Sequence, residues 1–416
     1  MARGSDEDLC DDDDAVLAEE TTSKKQRLAD PGDEALTALS LREGDGAQPT
    51  PGEVHAPPQG SQPFPTLPPE LLVEVLSRLP VKSLLQLRCV CKSWKSLISD
   101  PQFVKKHLQM SVMDPKFTHH KLIFQFSKRS FTLKYCSVYS IFNYSSTRAA
   151  VLKYPTTYRG YDMIVGSCNG LLCFANKQKG VLLCNPSMRT LKESPFLGNE
   201  PRVGSYTVYG FGYDHLNDCY KVVAIFCYSE GRNAYKTDVK VYTLGTSYWR
   251  RILEFPVVPY DDTGKFVSGT GTINWVGKST TGSRYPWVIV SLDLGKETYQ
   301  EVLQPDYEVG LVVSLGVLRD CLCICHYYNT HLDLWLMKDC GLTVSWTKLV
   351  TIHEDITSFK PLCTSEIGEI LSETVPNFNI GLYDPRDSKV KHPEIKNIKG
   401  WVEAEVYVES LVSPCS

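Results

Sequence analysis

Residues Leu67–Leu108 read LPPELLVEVLSRLPVKSLLQLRCVCKSWKSLISDPQFVKKHL. The first part of this stretch carries apolar side chains at the spacing of one helix face, namely Leu71, Leu72, Val75, Leu76 and Leu79. Two prolines precede that stripe, where the first turn of a helix tolerates them, and Pro80 stops it. The pattern therefore predicts an amphipathic helix.

The next segment predicts a second helix that is apolar on more than one face. Its main stripe runs at steps of three and four residues through Leu84, Leu87, Cys91, Trp94 and Ile98. Ser83 with Gln86 fits a capping box at its start. Asp100-Pro101 then fits an N-cap with proline at the first position of a last short helix.

The size of this helical module limits how it can be stable. About forty residues rarely bury enough apolar surface to fold alone. A module that is apolar on several sides is expected to be covered by a partner. It could equally pack only against the rest of its own chain, since an apolar helix stripe usually marks a core. The pattern alone leaves both possibilities open.

The stretch resembles an F-box in L-P at its start, the core L-L-x-E-x-L-S-R-L-P, then L-x-x-V-C-K-x-W and D-P-x-F. In that family the helices dock onto a Skp-type adaptor, which joins them to a cullin–RING ubiquitin ligase. Trp94 is the side chain expected to cost most on truncation, as buried aromatic anchors usually do. The resemblance implies an adaptor face made of Leu67, Pro68, Leu71, Leu72, Val75, Leu76, Leu79, Pro80, Leu84, Leu87, Val90, Cys91 and Trp94.

Composition and charge narrow the class of protein. The chain has 416 residues, which predicts two to three domains, and its 42% hydrophobic and 22% charged content fits a soluble globular protein. Residues 1–60 hold fifteen acidic and five basic side chains, a net charge of −10. Because the whole chain has a net charge of −4, the remaining residues carry +6. Without a concentrated basic face, no nucleic-acid binding is predicted. Residues 1–62 are acidic and poor in apolar side chains, and we expect them to be disordered.

The sequence also bears on location. No run approaches eighteen consecutive apolar residues, and the N-terminus lacks the apolar core of a secretory signal. Neither a membrane span nor secretion is therefore expected. The fifteen cysteines should then be reduced thiols in the cytoplasm, the nucleus or both.

From about residue 117 helical spacing gives way to short β-rich runs between turn residues. A unit recurs, as in DMIVGSCNGLLCF from Asp162, YGFGYD from Tyr209, GTGTINWV from Gly269 and SLGVLRDCLCIC from Ser314. Equivalent turns lie about 40 to 60 residues apart, the range of one propeller blade per repeat. They are Asn185-Pro186, Leu244-Gly245, Asp293-Leu294-Gly295, Lys338-Asp339 and Asp384-Pro385.

These repeats predict a β-propeller, with six blades favoured and seven as the alternative. The run from Lys121 to Tyr154 is expected to add a first blade. Trp401–Val412 alternates apolar and polar residues, and we expect it to close the ring by pairing with the first blade.

The region resembles the F-box-associated, kelch-like domain of plant F-box proteins. The resemblance rests on G-S-C-N-G-L-L, C-N-P-S-M-R-T, S-Y-W-R and L-D-L-G-K-E-T-Y, although the repeated G-G of a plain kelch repeat is missing. It implies a multidomain α plus all-β chain with an F-box at 63–109 and a propeller at 117–412, behind the acidic tail.

No motif in the chain predicts metal or catalytic chemistry. Cys321, Cys323 and Cys325 share one face of a strand, but a closed zinc site needs four converging ligands. The glycines of Gly210-Phe211-Gly212 lack the P-loop context and are expected to pack inside a blade. Neither G-x-S-x-G nor H-E-x-x-H occurs. We therefore predict no cofactor and a non-catalytic protein.

The favoured function is the substrate-recognition subunit of an SCF-type ubiquitin ligase, with the propeller binding a protein substrate. The alternative is a propeller enzyme or a carbohydrate- or small-ligand-binding protein whose F-box controls its turnover. An enzyme should show ionisable groups of shifted pKa at the channel, and an adaptor an apolar or aromatic loop patch. The tyrosines near loop-like sequence could anchor a substrate or could pack between blades. They are Tyr158, Tyr161, Tyr206, Tyr228, Tyr235, Tyr260, Tyr285, Tyr307 and Tyr328.

Overall fold

The computed structural model of the chain describes the helical module and most of the β-rich region. The acidic tail predicted at 1–62, Leu67, Tyr158 and Tyr285 lie outside the described residues. The described residues are 68–126, 131–154, 160–161, 163–176, 179–198, 202–229, 235–260, 263–278, 287–307, 312–339, 345–353, 358–375 and 379–415.

Four short helices open the described chain: α1 Pro69–Leu76, α2 Val81–Leu87, α3 Lys92–Ile98 and α4 Pro101–Val112. Pro69 occupies the first turn of α1, as predicted. The Asp100 carboxylate caps α4 by accepting the backbone N–H of Gln102 at 2.8 Å, which confirms the predicted N-cap. The helix then runs to Val112, further than the short helix expected.

The second helix differs from the prediction, because it is divided in two. The backbone N–H groups of Cys89 and Val90 bond three residues back, which tightens the chain into a turn, and Cys91 is extended. The capping box predicted at Ser83 was wrong. Pro80 is the N-cap residue, so α2 begins at Val81 without any side-chain cap. Neither glycine nor proline marks the division in the sequence.

The described strands form six antiparallel blades, and the first blade joins the two ends of the β-rich region. Blade 1 contains β1 His120–Phe126, β2 Thr132–Ser137 and β4 Ala150–Lys153, and its innermost strand is β27 Trp401–Val408. Beside it lie α5 Val138–Asn143 and a parallel pair, β3 Ser146–Arg148 with β26 Glu394–Lys396.

The other five blades follow in chain order. Blade 2 has β5 Met163–Cys168, β6 Leu171–Asn176, β7 Gly180–Asn185 and β8 Thr190–Glu193. Blade 3 has β9 Tyr206–Asp214, β10 Cys219–Ser229, β11 Tyr235–Thr243 and β12 Trp249–Arg251. Blade 4 has β13 Val258–Pro259, β14 Lys265–Val267, β15 Thr272–Lys278, β16 Trp287–Asp293 and β17 Thr298–Val302. Blade 5 has β18 Val312–Leu318, β19 Cys321–Tyr327, β20 Leu332–Asp339 and β21 Ser345–Ile352. Blade 6 has β22 Ser358–Thr364, β23 Ile370–Val375, β24 Asn379–Asp384 and β25 Lys389–Lys391.

The ring closes as predicted, through the last strand. β27 pairs with β1 in antiparallel register, for example Val406 opposite Leu122. This pairing removes the open edges that the two ends would otherwise present. The strand is shorter than predicted, because its pairing ends at Val408 and the residues up to Val412 leave the blade.

Four of the five recurring turns of the sequence connect the third and fourth strands of their blades. Lys338-Asp339 instead ends β20, and the residues that follow it lie outside the described ones. In three of those four turns an Asn or Asp oxygen accepts the backbone N–H two residues on, and the turn ends on a residue with positive φ. Those pairs are Asn185 with Arg189, Asp293 with Glu297 and Asp384 with Ser388.

The blades pack face to face around large buried side chains. Trp275 of blade 4 is fully buried against Tyr209 and Val208 of blade 3. A β-carbon on Gly210 would lie 2.6 Å from the Trp275 ring. The glycines of Gly210-Phe211-Gly212 thus serve close blade packing, as predicted, and no phosphate loop is formed.

Candidate adaptor and substrate interfaces

The helices share one small apolar core that another part of the chain completes. Leu76, Val81, Leu84, Ile98 and Phe103 are all buried in it. Leu411, from the segment after β27, is 5% exposed and packs into the same core. Met188, in the turn between β7 and β8, packs against it. The module is therefore covered on its inner side by its own chain.

These contacts place the helices on one face of the propeller, which we call the F-box face. It is the face where the innermost strands end, because Leu411 follows β27 and Met188 lies in a turn on the same side. Lys105 of α4 forms an ion pair at 2.7 Å with Asp218, in the turn between β9 and β10. The opposite face carries the connections between blades and the turns between second and third strands.

The segment Glu409–Val412, here called the C-terminal strap, is fixed to blade 2. The Asn185 side-chain amide donates to the backbone carbonyls of Ser410 at 3.0 Å and Val412 at 2.7 Å. Gly170 has a φ of 81°, and a β-carbon there would lie 2.3 Å from the Ser410 hydroxyl. The second glycine of G-S-C-N-G-L-L and the asparagine of C-N-P-S-M-R-T therefore have a structural role, since both hold the strap.

Asn185→Asp should detach this strap with almost no change in side-chain volume. The fully buried amide would lose its N–H donors, and a carboxylate would face two carbonyl oxygens. We expect the free energy of unfolding to fall by about 1–3 kcal/mol, measured by urea denaturation. Asn329→Asp, at an exposed turn, is the matched control. Equal unfolding midpoints for the two variants would contradict the role given to Asn185.

The residues predicted for the adaptor face do not lie on one surface. Leu76 and Leu84 point into the internal core. The apolar pattern of the sequence therefore combined side chains that point inward with side chains that point outward. Leu71, Val75 and Val90 are 52%, 53% and 67% exposed. Pro68 and Cys91 are also exposed, whereas the half-buried residues are Leu72, Leu79, Pro80, Leu87 and Trp94.

His107 is a structural residue that the sequence reasoning missed. It is fully buried, and its Nε2 donates a hydrogen bond to the Leu79 carbonyl at 2.9 Å. Burial lowers the pKa of His107, so the ring is neutral at pH 7. The bond ties α4 to the turn after α1. Its position four residues after Phe103, on the same apolar side of α4, was the available signal.

A cavity of about 670 Å³ opens in the channel on the F-box face. It is lined by the ends of the innermost strands and by the loop from Val112 to Phe117. Near it, the Lys360 ammonium lies 3.1 Å from Glu405 and 3.6 Å from Glu403, and donates to the Ala404 carbonyl at 2.9 Å. Because Lys360 belongs to blade 6 and the others to β27, this cluster ties the closing strand to the last blade.

The electrostatics of this cluster follow from its burial. Burial raises the pKa of Glu373, opposite Lys360 in the sheet, to about 7, and also raises the pKa of Glu403. Burial lowers the pKa of Lys360, but the neighbouring carboxylates outweigh that effect and raise it overall. Glu373 accepts the Ala404 backbone N–H at 3.2 Å, and Glu403 that of Ile164 at 2.8 Å. The channel therefore does hold ionisable groups of shifted pKa, engaged in tying strands together.

Glu373→Gln should make the protein more stable at alkaline pH. The pKa of Glu373 is higher in the folded chain, about 7, than its ordinary value of 4.5. Between these values the unfolded state releases a proton that the folded state keeps, so stability falls as pH rises. The variant removes that loss, which is on the order of 3 kcal/mol above pH 7.

Thermal unfolding between pH 5 and pH 8 measures this effect. The gain in Tm of Glu373→Gln over the wild type should grow with pH. The exposed Glu366→Gln serves as the control and should leave Tm unaltered throughout. A gain that is constant or shrinks with pH would show that the Glu373 carboxyl does not retain its proton.

Metal chemistry finds no support in the described part of the chain. No group of three or more His, Cys, Asp or Glu side chains there is placed to hold a metal ion. Cys323 and Cys325 are fully buried inside blade 5, and burial raises the pKa of the Cys323 thiol well above its ordinary value. None of the described helices is both long and apolar enough to cross a membrane.

The loop tyrosines divide between packing and exposure. Tyr161 and Tyr307 are buried, so the packing interpretation holds for them. Tyr206, Tyr228 and Tyr328 are half-buried. Tyr235 and Tyr260 are more than half exposed, and both lie on the opposite face. Two of the tyrosines are therefore exposed on the face away from the helices, one in blade 3 and one in blade 4.

A short F-box-like helical module fixed to a six-bladed propeller defines a class, the F-box proteins whose second domain is a propeller. A family model of the F-box domain matches residues 64–106, and a model of the F-box associated beta propeller domain matches residues 121–411. An F-box/kelch-repeat protein of Arabidopsis thaliana is 33% identical over 356 residues, 84% of this chain and 96% of the relative. The F-box protein CPR1 of the same plant is 27% identical, covering 84% and 89%. The chain belongs to the F-box proteins with an F-box-associated propeller domain.

Proposed function

We propose that this chain is the substrate-recognition subunit of an SCF-type ubiquitin ligase. One observation carries the proposal. The helical module is covered on its inner side by Leu411, yet it still exposes Leu71, Val75 and Val90. Apolar side chains left exposed after the chain has folded are typical of a surface that a partner covers. The F-box family match makes a Skp-type adaptor the expected partner.

The adaptor face is narrower in this proposal than the resemblance implied. Leu76 and Leu84 act through the internal core, and they support the face without contacting the adaptor. Leu67 stays part of the proposed face on the resemblance alone. The other members of the face are Pro68, Leu71, Leu72, Val75, Leu79, Pro80, Leu87, Val90, Cys91 and Trp94.

The division of labour follows from the placement of the helices. The adaptor binds the exposed side of the helices, which lie on the F-box face. A protein substrate binds on the opposite face of the propeller, where the blade connections lie. The C-terminal strap fixes the helices to the propeller, so a bound substrate is held at a set distance from the ligase. This raises the effective concentration of its lysines near the ubiquitin carrier. The bond-making chemistry resides in the other subunits, in cytoplasm or nucleus, and the chain needs no cofactor.

Reconstitution tests this function. The full-length protein is mixed with a purified Skp-type adaptor and a cullin–RING complex and run on a sizing column. We expect an equimolar complex. With ubiquitin and its activating and carrier enzymes added, the complex should attach ubiquitin to lysines of this chain. Folded protein that elutes apart from the adaptor would remove the ligase assignment.

The channel cavity favours a second candidate, a small-molecule-binding propeller whose F-box controls its turnover. A volume of about 670 Å³ lies in the range of small-ligand pockets. A thermal-shift screen of a metabolite library against the full chain separates the two functions. A ligand whose stabilisation is lost in Lys360→Met would favour this candidate.

A further inference from the structure

Three histidines meet where the helical module joins the first blade. His107 lies on α4 and is fully buried, and His119, just before β1, is 8% exposed. Their ring centroids lie 6.0 Å apart, edge to face. His120, the first residue of β1, is half-buried. We call His107, His119 and His120 the histidine cluster. It contacts both sides of the joint, because His107 bonds to the Leu79 carbonyl and the His119 carbonyl accepts the Glu409 backbone N–H at 2.8 Å.

The ring nitrogens of the cluster are placed for the neutral form. The Nε2 atom of His107 donates to the Leu79 carbonyl at 2.9 Å, which leaves its Nδ1 as an acceptor. The Nδ1 atoms of all three rings are buried, and none has a hydrogen-bond partner among the residues that the structure describes. A proton on such a nitrogen creates a buried, charged donor without an acceptor, which is costly.

Three charged side chains act on the cluster from the elements packed against it. They are Asp114 in the loop after α4, Lys121 in β1 and Glu409 in the C-terminal strap. Asp114 already accepts two backbone N–H groups of its own loop, and the Glu409 carboxylate lies 3.7 Å from the Lys121 ammonium. For His107 the neighbouring titratable group is His119 itself. Both carboxylates favour a charged His119, but the effect of burial is larger and lowers its pKa.

Burial sets the direction in which pH acts on this joint. It lowers the pKa of all three histidines below the ordinary value of 6.5, that of His120 to about 4. Rings released into water take up protons as the pH falls below 6.5, whereas the buried rings stay neutral. The released state then binds more protons than the closed state, so acid favours release.

We propose that the histidine cluster is an acid-sensitive latch, which fastens the helices to the first blade while its rings are neutral and releases them when the rings are protonated. Released helices lose the cover of Leu411 and are too short to stay folded alone. In the proposed ligase, acidification then separates the adaptor-binding helices from the propeller that holds the substrate. That consequence rests on the proposed function, whereas the latch itself does not.

Hydrogen–deuterium exchange of the full chain at pH 7.5, 6.5 and 5.5 tests the latch. Exchange rates corrected for the intrinsic effect of pH on amides give the opening constant of α1–α4. We expect this constant to rise at least about 100-fold from pH 7.5 to pH 5.5, because each released histidine contributes on the order of tenfold. The strands of blade 3 should change much less, since no member of the cluster lies there.

The double variant His107→Gln with His119→Gln carries a neutral side-chain amide at both positions. Its rise from pH 7.5 to pH 5.5 should fall to about tenfold, the share of His120. The matched control is His353→Gln, at an exposed histidine after β21, which should keep the wild-type rise.

An opening constant of the wild-type helices that does not change with pH would overturn the latch, and this result does not depend on the folding of any variant. A rise shared equally by the strands of blade 3, or one unaltered in the double variant, would overturn it as well. The adaptor takes no part in the experiment, so failure of the ligase function is seen separately.

Discussion

Leu411→Ala should lower the free energy of unfolding of the helical module by about 2–5 kcal/mol. Leu411 is 5% exposed and fills the centre of a core whose other members, such as Leu84 and Phe103, come from the helices. The helices are short and cannot close over the space that the truncated side chain leaves. The expected readouts are a lower midpoint in urea denaturation and a weakened adaptor complex.

The matched control is Leu253→Ala, which makes the same change at a position that is 70% exposed. Its unfolding midpoint should stay within about 0.5 kcal/mol of the wild type. The C-terminal strap would lose its role if Leu411→Ala behaved like this control. The same would follow if Leu411→Ala unfolded the blades while the helices kept their protection from hydrogen exchange.

The double substitution Leu71→Asp with Val75→Asp should weaken adaptor binding by at least about 100-fold. Both side chains lie one helical turn apart on α1 and are about half exposed. In the complex, two carboxylates would be buried without partners, which is costly. In the free protein they meet water, so the fold should be unaffected.

Titration calorimetry with a purified Skp-type adaptor measures this loss, and circular dichroism checks the fold. Leu253→Asp introduces one aspartate at an exposed leucine after the last strand of blade 3 and should bind the adaptor like the wild type. Unchanged affinity in the double variant would place the adaptor contact elsewhere on the chain.

Much of the propeller could be predicted from the sequence because its signals are local. The turn that begins at Asn185, Asp293 or Asp384 needs a side-chain oxygen at its start, and it recurs in three of the blades. The closing strand alternates apolar and polar residues, since one of its faces meets a neighbouring blade. Gly210 was recognisable as a packing glycine because it lies inside a strand and opens no helix.

Which apolar side chains of the helices remain exposed could be predicted only in part, and for a physical reason. A helix stripe reports that a side chain avoids water, and it does so equally for an internal core and for a partner's surface. Leu76 and Val75 are neighbours in that stripe, yet one is buried and the other exposed. The missing information was Leu411, more than three hundred residues away, which decides which side of the helices is already covered.

The contacts among the aromatic side chains of blades 4 and 5 were likewise beyond the sequence. The ring centroids of Tyr260 and Trp287 lie 4.7 Å apart and those of Tyr307 and His326 4.1 Å apart, yet Tyr260 and Tyr307 taken alone have the appearance of loop aromatics. Tyr307, singled out in advance, proved to be buried. Strand pairing and the packing of neighbouring blades bring these rings together.

Hydrogen–deuterium exchange of the full chain, alone and with an equimolar Skp-type adaptor, tests the central claim most directly. We predict slower exchange in α1, α2 and α3 on adding the adaptor, with blades 3 to 5 unchanged. Exchange that slows on the opposite face instead, or nowhere while the protein is folded, would contradict an F-box that binds its adaptor through the exposed side of these helices.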